Sequence, residues 1–257
     1  MNQQLNIQEL SIILAVKEQN PTTLNPDTLK YTNVIPNDWE LASAPIIQKN
    51  FVQLKFTSGV IIIAEYNRTI LVQSLVDKSI ADIVIPDIAK KYAQTFPNVE
   101  YQAVGTNPNG YVPFSREQDT AHTFLTQTLL SPGSWQEEGE LPMRVNLNLV
   151  YKYERASMYL NITEAAIQAE DKTTTPIVIF GANYSYKVNG ESNAEKLAYL
   201  HQVIDNWQAD LEAYSNLVNN KFLASLPQRV SPEVEQPIYE NKAESTEVEP
   251  NLLAVPA

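Results

Sequence analysis

The side chains able to do metal or acid–base chemistry are few, and they fall into two groups. His122 follows Asp119 by three positions and His201 precedes Asp205 by four, so on helices each pair shares one face. Two imidazoles and two carboxylates brought together would bind zinc, iron or manganese. These are the chain's two histidines, and it has no cysteine, which excludes disulfides and thiolate ligands. The second group is Glu137, Glu138 and Glu140 around Gly139, where crowding would raise one carboxyl and divide the set into acid and base. A plainer expectation competes with both. Aspartates are ordinary on a wet helix face, and a glycine-containing loop leaves its glutamates in water.

Motifs that announce a reaction are missing. Ser131-Pro132-Gly133-Ser134-Trp135 lacks the spacing of a nucleophile elbow. Gly105 and Gly110 stand five apart, but Tyr111 occupies the place a phosphate loop needs for lysine. No Gly-x-Gly-x-x-Gly occurs either. The expectation is no catalytic residue, no metal and no cofactor.

A net charge of −12 repels phosphate backbones, so nucleic acid is not an expected partner. The longest apolar runs, 12–16 and 60–64, are far too short to cross a bilayer, so no membrane insertion is expected. The opening residues carry neither a basic flank nor a long apolar stretch, and the expected setting is cytoplasmic.

Alternation points to β structure. Met143, Val145, Leu147, Leu149, Tyr151 and Tyr153 alternate with a mostly polar set, the period of a strand with one buried face. Further strands are expected over 157–166 and 176–188, and earlier over 51–57, 60–66, 69–76 and 99–104. Ser58-Gly59 suits a tight hairpin. A helix ending near Phe96 carries Pro86 in its first turn or at a kink. Leu10–Val16 would add a strand to either sheet. Residues 20–47 hold several prolines and read as a long connection with short helical turns, and 116–130 as a linking helix.

Glu191 to Phe222 reads as one long helix, with Ser192 as N-cap and Glu195 three residues on. Its apolar stripe is Leu197, Leu200, Ile204, Trp207, Leu211, Tyr214 and Val218. The stripe covers the chain's own sheet or meets a partner helix; Trp207 and Tyr214 are bulky for a regular two-stranded seam, which favours the sheet. Two loops, 105–114 with Tyr111 and Phe114, and 131–140 with Trp135, offer aromatics to a ligand or partner.

The expected fold is α+β: two antiparallel sheet-plus-helix halves of βββα type, one over 1–130 with the linking helix and one over 131–225, a possible duplication. A tail over 226–257 has five prolines and six glutamates, and reads as disordered, with a possible docking peptide at Leu252–Pro256.

Leu14-Ala15-Val16-Lys17 through Asn25-Pro26, then Asn37-Asp38-Trp39-Glu40-Leu41, resembles a family of uncharacterised cyanobacterial proteins. The resemblance implies a bacterial cytosolic setting and no particular activity. Missing reaction motifs, a long helix and an acidic tail together point to a non-enzymatic interaction or assembly component that self-associates. The alternative is a small-molecule binder, or a carboxylate-based enzyme with a cleft between the halves.

Overall fold

A computed structural model describes residues 3–115, 120–169 and 171–226. The compact unit they belong to ends at Leu226. The acidic tail, apart from Leu226, lies outside the described residues, as do 116–119 of the linking helix.

The architecture is α+β, built on one nine-stranded antiparallel sheet. In chain order the strands are β1 (Asn6–Val16), β2 (Ile46–Gln48), β3 (Phe51–Lys55), β4 (Val60–Glu65), β5 (Arg68–Ser74), β6 (Tyr101–Pro113), β7 (Asn146–Lys152), β8 (Ser157–Gln168) and β9 (Thr174–Lys187). Across the sheet the order is β2-β3-β4-β5-β1-β6-β9-β8-β7. The expectation of two separate sheets is corrected here. β6 pairs with β1 along one edge and with β9 along the other, so it joins the strands of both halves into one sheet.

The hairpin at Ser58-Gly59 forms as expected. Gly59 takes φ +83°, a left-handed conformation that side chains disfavour, and β3 and β4 pair from Lys55↔Ile61 outward. Nearby, one expectation holds in part and one fails. The connection over 20–47 holds the helix α1 (Pro26–Tyr31), and it also ends in the edge strand β2. The stretch 105–114 is no loop: β6 runs through it to Pro113 at the centre of the sheet. Its glycines and Pro108 mimic a turn in sequence, yet a strand flanked on both sides by long partners gains enough ladder hydrogen bonds to outweigh weak local propensity. Pro108 leaves its mark. The β6–β9 ladder lapses between the pairs Thr106↔Tyr184 and Asn109↔Gly181, because proline brings no N–H.

One sheet face is packed and the other is open. The packed face follows one row of cross-strand partners: Leu54, Ile62, Leu71, Ile12, Thr106, Tyr184 and Met158, every one buried. Helix α2 (Ile85–Thr95) lies over the first part, with Pro86 in its first turn and Ile88, Ala89 and Tyr92 buried. It lacks a cap of its own. Gln73 of β5 supplies one: its side-chain oxygen accepts from the amides of Val84 at 2.9 Å and Ile85 at 3.3 Å, and its nitrogen donates to the Asp82 carbonyl at 2.7 Å.

The linking helix is described from α3 (Thr120–Thr123), which continues as a π-helical turn over Phe124–Leu129. The expected single helix over 191–222 is divided into α4 (Asn193–Ile204), α5 (Trp207–Leu217) and a π-helical turn, Val218–Phe222. The capping box holds: Ser192 accepts from the Glu195 amide at 3.2 Å. The break falls at Asp205-Asn206, where short polar side chains compete with the backbone. Asp205 turns out to Lys90 of α2 at 2.7 Å. The apolar stripe faces inward, with Leu200, Ile204, Leu211, Tyr214 and Val218 buried and Leu197 and Trp207 packed at its margins. Tyr214 also donates to the Phe180 carbonyl of β9 at 2.6 Å. Each fully buried side chain of this size contributes about 1.5–3 kcal/mol, so the stripe is a major anchor.

Candidate functional site

Alternation along each strand sends every second side chain to the open face, and this face has two chemically distinct parts. Over β2 to β1 it is apolar. Cross-strand partners line up Ile46, Gln53, Ile63, Ile70 and Ile13 in one row and Lys55, Ile61 and Val72 in the next. Ile46 is 46% exposed, and Ile13, Ile61, Ile63, Ile70 and Val72 are half-buried, against near-zero exposure for their neighbours on the packed face. Lys55 and the Glu65–Arg68 ion pair, 2.7 Å apart, rim this patch.

Over β6, β9, β8 and β7 the same face is made of carboxamides. Asn107 and Asn109 come from β6, Asn183 from β9, Asn161 from β8, and Asn146 and Asn148 from β7. Asn161 donates its amide nitrogen to Asn146 at 2.6 Å and to Asn148 at 3.1 Å, and receives the Thr163 hydroxyl at 3.0 Å. Asn109 reaches Glu9 of β1 at 3.5 Å. The amide oxygens of Asn107, Asn109 and Asn183 are buried and have no hydrogen-bond partner among the described residues. They lie over the glycines of the sheet: a Cβ at Gly105 would come within 2.9 Å of the Asn107 oxygen and 3.4 Å of the Asn183 oxygen.

A groove of about 390 Å³ opens here, where the β6–β9 ladder lapses. Its polar lining is Glu9, Ser11 and five of these asparagines, and Tyr159 and Val150 stand beside them, 49% and 57% exposed. Among the described residues no lysine or arginine lines it. Between the halves 1–130 and 131–225 the sheet continues through the β6–β9 ladder, and the groove lies over the lapse in that ladder, with lining residues from both halves.

The residues expected from sequence are scattered. Phe114 is buried with its ring 5.3 Å from that of Phe124, so it does not face a ligand. Tyr111 is half-buried on the open face of β6, one pair from Asn109. Trp135 is 53% exposed on a short 3-10 turn, Ser134–Glu137. Glu137, Glu138 and Glu140 are exposed. His122 meets Glu164 of β8 at 2.9 Å, and Glu164 also takes Arg144 at 3.1 Å; Asp119 lies outside the described residues. His201 packs near Lys90, and burial together with that cation holds its imidazole below the ordinary range. Among the described residues no three histidine or carboxylate side chains gather as a metal site.

Sequence reasoning also missed a buried charge. Asp210 of α5 is fully buried, 2.9 Å from the Arg155 guanidinium, with the Tyr186 hydroxyl at 2.8 Å from both of its oxygens. Burial raises its carboxyl above the usual range, while Tyr186 and Arg155 pull the other way. Arg155 also lies 5.6 Å and 5.7 Å from the ring centres of Tyr153 and Tyr184. Enclosed between helix and sheet, the cluster fastens α5 to the β7–β8 turn.

No protein-family model matches the chain, and no curated protein matches it in sequence. Among the described residues no helix is long and apolar enough to cross a membrane.

Proposed function

We propose that the protein is a non-enzymatic assembly component that associates with a second copy of itself through the apolar part of its open sheet face. The observation carrying this reading is the isoleucine set Ile13, Ile46, Ile61, Ile63 and Ile70 with Val72, facing away from the packed helices. At a strand spacing of about 4.8 Å, five strands of ordinary length present roughly 400 Å² of face. That suits the dry centre of a standard interface, with Lys55, Glu65 and Arg68 as its polar rim. The largest apolar patch on a typical monomer is about 300–600 Å², and such patches are often functional.

The element order supports reading the chain as two related halves. Three strands and a helix occur over β3 to α2, and again over β7 to α4. Their strand orders mirror each other about the β1–β6 pair.

Light scattering of the full chain tests the proposal. A dimer that becomes monomeric in Ile63→Glu and Ile70→Glu, with circular dichroism unchanged, is expected. A native chain that is monomeric at the highest attainable concentration overturns it. Deleting 226–257 separately asks whether the tail contributes; unchanged association assigns the contact to the sheet alone.

A further inference from the structure

We propose that the carboxamide groove on the open face is a binding site for a neutral saccharide. Three features of the lining converge on that ligand class. First, Glu9, Ser11, Asn148 and Asn161 bring side-chain oxygens to the lining, which suits a ligand rich in donors. Second, the amide nitrogens of the asparagines donate, so the lining offers both halves of the pairing that a sugar hydroxyl, itself donor and acceptor, completes. Third, among the described residues the groove has no cationic side chain and a single carboxylate, Glu9, which disfavours phosphates and carboxylates.

The exposed Tyr159 decides between a sugar and a purely polar ligand. Tyr159 pairs with Val150 across β7 and β8, and both stand on the side of the sheet from which the asparagines project. The ring offers a flat apolar platform to the C–H face of a pyranose, while Asn161, Asn148 and Asn183 reach its hydroxyls. About 390 Å³ holds one or two sugar rings. Asn161 is already held by Asn146 and Asn148, so part of the site is organised before the ligand arrives. The site is separate from the isoleucine patch and does not depend on dimer formation.

The test uses the full chain labelled with ¹⁵N and titrated with maltose, cellobiose, lactose and mannobiose, with spermidine and inorganic phosphate as charged comparators. Expected is a millimolar Kd for at least one disaccharide, shifting the side-chain amide signals of Asn107, Asn148, Asn161 and Asn183. Tyr159→Ala should weaken binding about tenfold, and Asn161→Ala similarly, while Tyr31→Ala, altering a residue outside the groove, leaves it unchanged. Because the amide signals are read on the unaltered chain, the result stands even where a variant misfolds. No shift with any disaccharide at about ten times a millimolar Kd overturns the proposal. So does preferential binding of spermidine or phosphate, or sugar binding that Tyr159→Ala and Asn161→Ala, both folded, leave intact.

Discussion

The Tyr186 hydroxyl sits 2.8 Å from both carboxylate oxygens of Asp210, and that carboxylate is fully buried. Removing the acid leaves a buried hydroxyl without its acceptor and Arg155 held to α5 through the Ala209 carbonyl at 3.3 Å. Asp210→Ala should therefore cost about 2–4 kcal/mol in urea unfolding. The pH dependence has a definite sign. A raised folded-state pKa means that the folded chain holds this proton more tightly than the unfolded chain. The resulting contribution is fully present below the ordinary carboxylate pKa and fades as pH rises through the folded value. Asp210→Asn should abolish that slope.

His201 gives the opposite slope. Its folded-state pKa lies below the ordinary 6.5, first through burial and then through Lys90. Stability is intact above the ordinary value and falls as pH drops through it, because the folded state resists the proton that the unfolded state accepts. The melting temperature should decline between about pH 7 and pH 5, and His201→Gln should flatten that decline.

Gln73 reaches from a strand to cap a helix, so its loss should be felt in α2. Gln73→Ala is expected to cost about 1–3 kcal/mol. Hydrogen exchange at the Val84 and Ile85 amides, which it accepts, should quicken more than exchange in α4.

Two glycines of β6 should respond differently to alanine. At Gly110 a Cβ would sit 2.7 Å from the Asn6 carbonyl oxygen and 3.0 Å from the Ile7 Cα, so the β1 backbone must move. At Gly105 the nearest atom is the mobile end of Asn107. Gly110→Ala should destabilise by about 2–3 kcal/mol, and Gly105→Ala by less than half as much.

Much of the fold was legible because local and tertiary signals agree. Leu147, Leu149 and Tyr151 do lie on the sheltered side of β7, and Ser192 and Glu195 form their reciprocal cap. Local signals misled where tertiary pairing overrode them. Gly105, Pro108 and Gly110 carry turn chemistry inside a central strand, and Asp205-Asn206 interrupts an otherwise unbroken apolar period. The joining of both halves through β6 and β9 was invisible for a different reason: alternation shows which face of a strand is buried, without showing between which partners it lies. The carboxamide face left a trace that spacing alone could have revealed. Asn107 and Asn109, like Asn146 and Asn148, share a parity along their strands, and that parity is set by the apolar residues between them.

The position of β1 has a consequence for biosynthesis. β1 precedes both of its partners in the chain, residues 68–74 and 101–113. Until both have emerged, an isoleucine-rich ribbon travels with bare edges, the kind of segment that chaperones hold and nascent chains misjoin. A ribosome stalled before residue 101 would release a product whose β1 has one flank still unmet.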